Sequence, residues 1–314
     1  LMLLVAVSCS YLFVATVSGL IVVRILHGSV FVLLTSAAIS LMVAFIPEGK
    51  SGQGFSAMSL ASMIPYAVVP PLSEALLPHV RNAADIYAGV SLISLASFAL
   101  MLKVRGRIMQ AIDKMDAVLM QKWTLTEIRE NFRSRIVLIL LTAILFLYLA
   151  HAGVFYFLKN LSDQNGVGQA GVFFGVSMAA MIAVRFWGTL IFDRFDKARL
   201  LCAAFILMTV CLAVLPVIRS VSAFYLIAAG YGLAVGVAPP VINALLFSSS
   251  TPAMRGLNTN LTLFAMDLGY FLTPYIGGML IAMGASFGSL FYLAASDIAL
   301  ALLLVIVLTK RGRG

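Results

Sequence analysis

Apolar residues run through this chain in ten long blocks, at approximately 1–17, 20–46, 54–77, 84–103, 136–158, 168–192, 199–217, 222–248, 257–284 and 287–309. A helix that crosses the hydrocarbon layer of a bilayer needs roughly 20 mainly apolar residues. Each block therefore predicts a membrane span. The connections are short, except for the stretch from Lys103 to Arg135.

Composition supports the same reading. Of 314 residues, 62% are hydrophobic and 11% are charged, against about 45–50% and about 25% in a soluble domain. A globular core with so little charge could not cover its surface with polar groups. The expected class is an all-α, polytopic membrane protein. The net charge of +9 would suggest nucleic acid in a soluble chain, but here it follows the positive-inside rule. The long loop carries Lys103, Arg105, Arg107, Lys114, Lys122, Arg129, Arg133 and Arg135, so it belongs in the cytoplasm as a surface helix or helix pair. Alternation from that loop puts sixteen of the twenty-one Lys and Arg inside, only Arg81, Lys159 and Arg219 outside, and Arg24 and Arg185 within spans. The expected location is the inner (cytoplasmic) membrane, multi-pass, with the C-terminus cytoplasmic and no nucleic-acid partner.

The chain also repeats itself. From Gly28, an apolar helix leads to Pro47, then Lys50 and Gly52, then a helix bearing Pro70 and Pro71. From Gly232, an apolar helix leads to Pro252, then Arg255 and Gly256, then a helix bearing Pro274. The offset is 203 to 205 residues throughout. Parallel repeats about an axis along the membrane normal are a transporter architecture. Under this offset the spans 136–158 and 168–192 lack counterparts. The expectation is that two helices precede Leu1, giving two sets of six. The domains are then 1–103, the remaining four helices of an N-terminal half; 104–135, a cytoplasmic linker; and 136–314, a C-terminal half.

Particular residues carry a family resemblance. Arg24-Ile-Leu-His-Gly28 resembles an Arg-x-x-x-Gly motif of a fourth helix. Pro47-Glu-Gly-Lys50-Ser-Gly52 and Pro252-Ala-Met-Arg255-Gly256 resemble Pro-x-x-Arg-Gly turns after helices four and ten. The run from Gly188 through Asp193, Arg194, Asp196 and Lys197 to Arg199 resembles a Gly-x-x-x-Asp-Arg-x-Gly-Arg-Arg loop between helices eight and nine. Together these are similar to the major facilitator superfamily, with the chain as helices three to twelve. Two departures stand out: the Gly188 to Asp193 interval is one residue longer than the pattern, and Asp196 replaces a glycine. The fifth helix also lacks the glycines of the drug/proton antiporter signature.

Charges inside a bilayer cost about 2.5–3.5 kcal/mol each on insertion scales and usually face a partner or a watery cavity. Here they are Arg24, Glu74, Arg185, Asp267 and Asp297. Arg24 could hold an anionic substrate or pair with a carboxylate. Asp267 suits reversible proton binding, or else bonds to the tenth-helix backbone or to Asn243. Glu74 lies near the outer end of its span, where it is expected to reach the aqueous face, and Asp297 is expected in packing or in a polar contact with helix ten. His151 could join Tyr148, Tyr156 and Asn160 in a polar-aromatic stripe. Asn243 follows Pro239 and Pro240, whose freed backbone groups face a cavity or a neighbour. The resemblance implies a cytoplasmic gate of Arg185, Gly188, Asp193, Arg194, Arg199 and Arg255. Arg185 is expected to pair with Asp193 or to point into the pathway.

The expected function is secondary transport of a small solute by alternating access around a midplane site, coupled to protons. Export is the direction that sugar- and drug-export members favour. A non-transporting sensor or a degenerate transporter fragment is the alternative. No cluster with triad or metal-ligand spacing points to an enzyme, and no Walker loop points to ATP. The expected partners are a small-molecule substrate, protons and the lipid bilayer, with no cofactor and a monomeric state.

Overall fold

The computed structural model describes residues 1–46, 50–76, 79–80, 82–113, 124–191 and 195–311, with side chains except at 40, 44, 66–75, 83, 107, 111–113, 189–191 and 309–311. The described elements are helices: α1 Met2–Ser10, α2 Val17–Ala44, α3 Ser51–Leu76, α4 Ala83–Ser91, α5 Ile93–Asp113, α6 Leu125–Arg133, α7 Arg135–Asn165, α8 Ala170–Ile191, α9 Lys197–Val214, α10 Val221–Ser249, α11 Arg255–Ala282 and α12 Phe287–Arg311. Short 3-10 turns punctuate them among the described residues, at Tyr11–Phe13, Leu215–Val217 and Pro252–Met254. Eight stretches among the described residues are long and apolar enough to cross a membrane.

Two expected spans differ. The block 1–17 is not one helix, because α1 ends at Ser10, a 3-10 turn follows and Val14 is extended. Thr16 then accepts the Gly19 N–H at 3.1 Å as α2 begins, so a hydroxyl cap divides the apolar run. The block 54–77 overlaps the 26-residue helix α3 through residue 76, and most of the second half of α3 falls outside the described side chains. The fourth block is longer than expected: α4 and α5 meet at Leu92 and continue to Asp113.

The repeat is visible in the element boundaries. Subtracting 204 from the first residues of the 3-10 turn at Leu215, α10 at Val221, α11 at Arg255 and α12 at Phe287 gives 11, 17, 51 and 83. Those are the first residues of the 3-10 turn at Tyr11, of α2, of α3 and of α4. One pattern of caps and breaks is therefore used twice.

By compactness the chain divides into two units, one of Leu1–Ala44 with Ser62–Lys122, the other of Phe45–Ala61 with Trp123–Gly314. In the first, α1 packs on α2, α4 and α5. In the second, α7 packs on α11 and α12, α9 on α10 and α12, and α8 on α10.

Apolar side chains give helices little reason to associate in lipid, since the tails are equally apolar. Close backbone approach and interhelical hydrogen bonds supply the attraction. Both occur here. Along α10, Ala228, Gly232 and Gly236 recur every four residues and so share a face. Ser177 of α8 donates its hydroxyl to Ala228 O at 2.9 Å. A Cβ at Gly232 would overlap the Ser177 backbone, and one at Gly236 would stand 3.2 Å from the Met181 Cα. A second seam joins α11 to α7. A Cβ at Gly269 would lie 2.8 Å from the Tyr148 carbonyl carbon, one at Gly277 would overlap the Phe157 ring, and Thr273 donates to Leu149 O at 3.2 Å.

Helix α6 lies within the stretch 104–135 expected to be a linker. Thr124 and Glu127 form a capping box, with Glu127 accepting the Thr124 N–H at 2.7 Å and hydroxyl at 2.8 Å. Its buried Asn131 exchanges amide hydrogen bonds with buried Asn258 of α11, at 2.7 and 2.9 Å. Asn258 also donates to the Ser250 hydroxyl at 2.7 Å. A polar clasp thus ties the linker helix to the turn between α10 and α11.

Two outcomes follow for stability. Gly232→Ala forces a methyl into the Ser177 backbone and is expected to cost about 2 kcal/mol or more, the range of overpacked sites. Gly278→Ala meets open space and is expected to be neutral or slightly stabilising; thermal melting in detergent compares them. The bonds from Thr124 hold the Glu127 carboxyl below the ordinary glutamate value. A lowered folded value means that the cap is fully present above the unfolded value and is lost as pH falls through the folded one. The protection factors of amides at the start of α6, corrected for the intrinsic pH dependence of exchange, are therefore expected to fall as pH drops below the ordinary glutamate range, and Glu127→Gln is expected to remove that dependence.

Candidate functional site

The expected site residues fall in both units. In the first, Arg24 and His27 lie one turn apart on α2. The Arg24 guanidinium sits 5.3 Å from the centre of the Tyr11 ring and 5.7 Å from that of Tyr87. His27 Nδ1 is 3.2 Å from the Tyr11 hydroxyl, and the Tyr11 and Tyr87 rings are 5.3 Å apart. The 3-10 turn that ends α1 aims Tyr11 at α2, and α4 supplies Tyr87. The described neighbours of this cation are thus aromatic faces, which attract it through their quadrupoles.

In the second unit, α7, α10 and α11 converge on a polar-aromatic core. His151 Nδ1 and the Tyr231 hydroxyl are hydrogen-bonded at 2.5 Å, with the rings stacked at 5.9 Å. Tyr148 lies 6.1 Å and Tyr270 lies 6.0 Å from the His151 ring, both edge-on. Tyr231 is buried. The expected stripe along α7 splits, however. His151 to Tyr156 is five residues, a rotation of about 140°, and Tyr156 instead meets Phe155 and Phe157. Asn160 is exposed. Tyr148 and His151 therefore belong to the core, and Tyr156 and Asn160 do not.

Arg185 is buried on α8, and its partners are set by proline chemistry. Proline has no N–H, so Pro239 and Pro240 cannot bond to the carbonyls four residues earlier. Those carbonyls belong to Val235 and Gly236. Arg185 donates from Nη2 to Val235 O at 3.5 Å and from Nε to Gly236 O at 3.3 Å. The Ser56 hydroxyl donates to Arg185 O at 2.7 Å, so α3 also helps to place this turn of α8. The guanidinium is directed at α10. Asp193, the partner expected from sequence, and Arg194 lie outside the described residues.

Asn243 sits one turn beyond the prolines. Its amide oxygen is buried and accepts no hydrogen bond among the described residues, as expected of a group kept for a ligand or water. Asp267 is exposed on α11, one turn before Tyr270. The bond to Asn243 or to the α10 backbone that its sequence context suggested is not made among the described residues, because its carboxylate lies on the exposed side of the helix. Gly188 is buried near the end of α8. Asp196 caps α9 by accepting the Arg199 N–H at 2.8 Å, which explains an acid where the motif has glycine. The Arg255 guanidinium lies 4.2 Å from the Phe247 ring centre, and Phe247 meets Phe55 edge-on. The backbone of Glu74 is helical, while its side chain lies outside the described residues.

A model of the Major Facilitator Superfamily matches residues 1–274. The chain belongs to the Major Facilitator Superfamily. Among solved structures, it is similar to the E. coli fucose:proton symporter FucP, at 13% identity and a TM-score of 0.73, covering 97% of this chain and 80% of that one. FucP in its outward conformation gives 14% identity and 0.72 over the same shares. The human organic anion transporter MFSD10 (TETRAN) gives 17% and 0.70, covering 97% and 75%. At these identities the likeness is one of fold. No curated protein matches in sequence.

The core residues Tyr231 and Tyr270 were not singled out from sequence. Tyr231 had one usable signal, its position between Gly230 and Gly232 on the seam face. A stability test isolates the Arg185 contact. Arg185→Leu leaves two buried carbonyls unsatisfied, at about 1–3 kcal/mol each. Replacing Pro239 and Pro240 with Ala restores their helical partners. The triple variant is expected to melt above Arg185→Leu alone; an equal or lower melting temperature would contradict the assignment.

Proposed function

We propose that this protein is a proton-coupled secondary transporter of a small solute, working by alternating access between the halves 1–103 and 136–314 across the linker 104–135. The family and fold establish a secondary transporter in general. The observation that carries the proposal further is the core of His151, Tyr148, Tyr231 and Tyr270, with Asn243 about 18 Å further along α10, its amide oxygen without a hydrogen bond among the described residues. It gathers a stacking surface and hydrogen-bonding groups in mid-membrane helices, which suits a small polar solute. Arg24 with Tyr11, Tyr87 and His27 offers a cationic, aromatic counterpart in the other half.

Asp267 serves as the proton carrier in this reading. An exposed carboxylate on a membrane helix, one turn from Tyr270, can take up and release a proton as the solute site fills. Glu74 is a second carboxylate on the pathway. Arg185, Gly188, Asp193, Arg194, Arg199 and Arg255 form the cytoplasmic gate, with Arg185 holding the proline-broken turn of α10. The orientation is C-terminus inside in the inner membrane, from the basic-residue asymmetry. The working unit is a monomer, and export is the direction that the family resemblance favours.

The test is solute flux in proteoliposomes carrying the full-length protein, screened with a solute panel under an imposed pH gradient. Asp267→Asn is expected to abolish gradient-driven flux while exchange of solute across the membrane persists. Unchanged gradient-driven flux would remove Asp267 from the mechanism. The sign of the gradient that drives accumulation reports the direction.

A further inference from the structure

A cavity whose lining does not include His151, Tyr231 or Tyr270 lies between α7, α11 and α12. It has a volume of about 190 Å³. An apolar cavity of about 150 Å³ takes up benzene, so this one has room for an aromatic ring and a short arm. Gly153 leaves space on the α7 side, Gly277 lets the Phe157 ring pack close to α11, Phe157 and Leu290 form walls, and Asp297 reaches the cavity from α12. Thr273 also lines it, its one hydroxyl hydrogen shared between Gly269 O at 2.7 Å and Leu149 O at 3.2 Å, so it offers a ligand acceptor lone pairs only. The Asp297 carboxylate is the charged group in the lining, and among the described residues no cation or hydrogen-bond donor meets it.

Depth narrows the ligand. Asp297 is ten residues into α12, which begins at Phe287, and at 1.5 Å per residue that is about 15 Å. The hydrocarbon layer is about 30 Å thick, so the carboxylate lies near its middle, beyond the reach of lipid headgroups. An occupant must partition into the bilayer and still carry a positive donor. An apolar wall with an aromatic face and one acid selects an aromatic ring bearing a short amine.

We propose that this cavity is a lipid-accessible binding site for small arylalkylamines, held by an ion pair to Asp297 and by packing against Phe157. It stands independently of the transport reading. The test is equilibrium binding of radiolabelled 2-phenylethylamine to the full-length protein in nanodiscs, with propylbenzene as the uncharged competitor of similar shape. The amine is expected to bind saturably and propylbenzene to compete at least tenfold more weakly. Asp297→Asn is expected to weaken the amine at least tenfold, Asp297→Glu to retain it, and Gly153→Leu to fill the cavity and abolish it. Equal competition by propylbenzene overturns the proposal even if no variant folds, because it needs only the unaltered protein. Full amine affinity in folded Asp297→Asn, or in folded Gly153→Leu, overturns it as well.

Discussion

A backbone carbonyl that loses its helical partner inside hydrocarbon must find another, because no water is there to replace it. That constraint shapes the C-terminal unit. Pro239 and Pro240 strip the partners from Val235 and Gly236, and Arg185 of α8 supplies two donors. The guanidinium can reach only because α8 and α10 approach backbone to backbone at Gly232 and Gly236. The break, the seam and the buried cation form one arrangement: without the glycines the arginine would stand too far away, and without the arginine the prolines would leave an unsatisfied turn.

The same arrangement positions the candidate site. Tyr231 precedes the seam glycine Gly232, so the contact that draws α10 against α8 also fixes where its phenol meets His151. Asn243 follows the prolines on the altered turn, and Gly269 draws α11 onto Tyr148, one turn before His151 on α7. A helix with two internal prolines, braced by a neighbouring arginine, has the makings of a hinge. The Asn131–Asn258 clasp adds a link from the linker to the turn after that helix.

Much of the fold was legible because the bilayer imposes its own length scale. Apolar blocks of roughly 20 residues and a basic long loop gave most of the helices, and the offset near 204 recurs in the observed starts of α2, α3 and α4 against α10, α11 and α12. The first block misled because hydropathy does not register the Thr16 cap. Site residues were legible as residue types more than as contacts. His151 with Tyr148 was visible at a spacing of three, but Tyr231 and Tyr270 come from other helices, and their convergence depends on the seams. The target of Arg185 was readable in principle, since two adjacent prolines release two carbonyls and a buried arginine is a matching donor. What the linear pattern lacked was that α8 and α10 are neighbours. The exposed side of Asp267 was likewise hidden, because one mid-span acid has the same local context whether it faces a partner or not.

Alternating access is the central claim, and the sidedness of access to Asn243 on α10 tests it most directly. In a full-length background with Cys9, Cys202 and Cys211 replaced by Ser, an Asn243→Cys variant would be exposed to a membrane-impermeant thiol reagent from one face of oriented vesicles and then from the other. Labelling from both faces, with transported solute changing the two rates in opposite directions, is the result predicted. Labelling from one face alone, or from neither, would contradict the account.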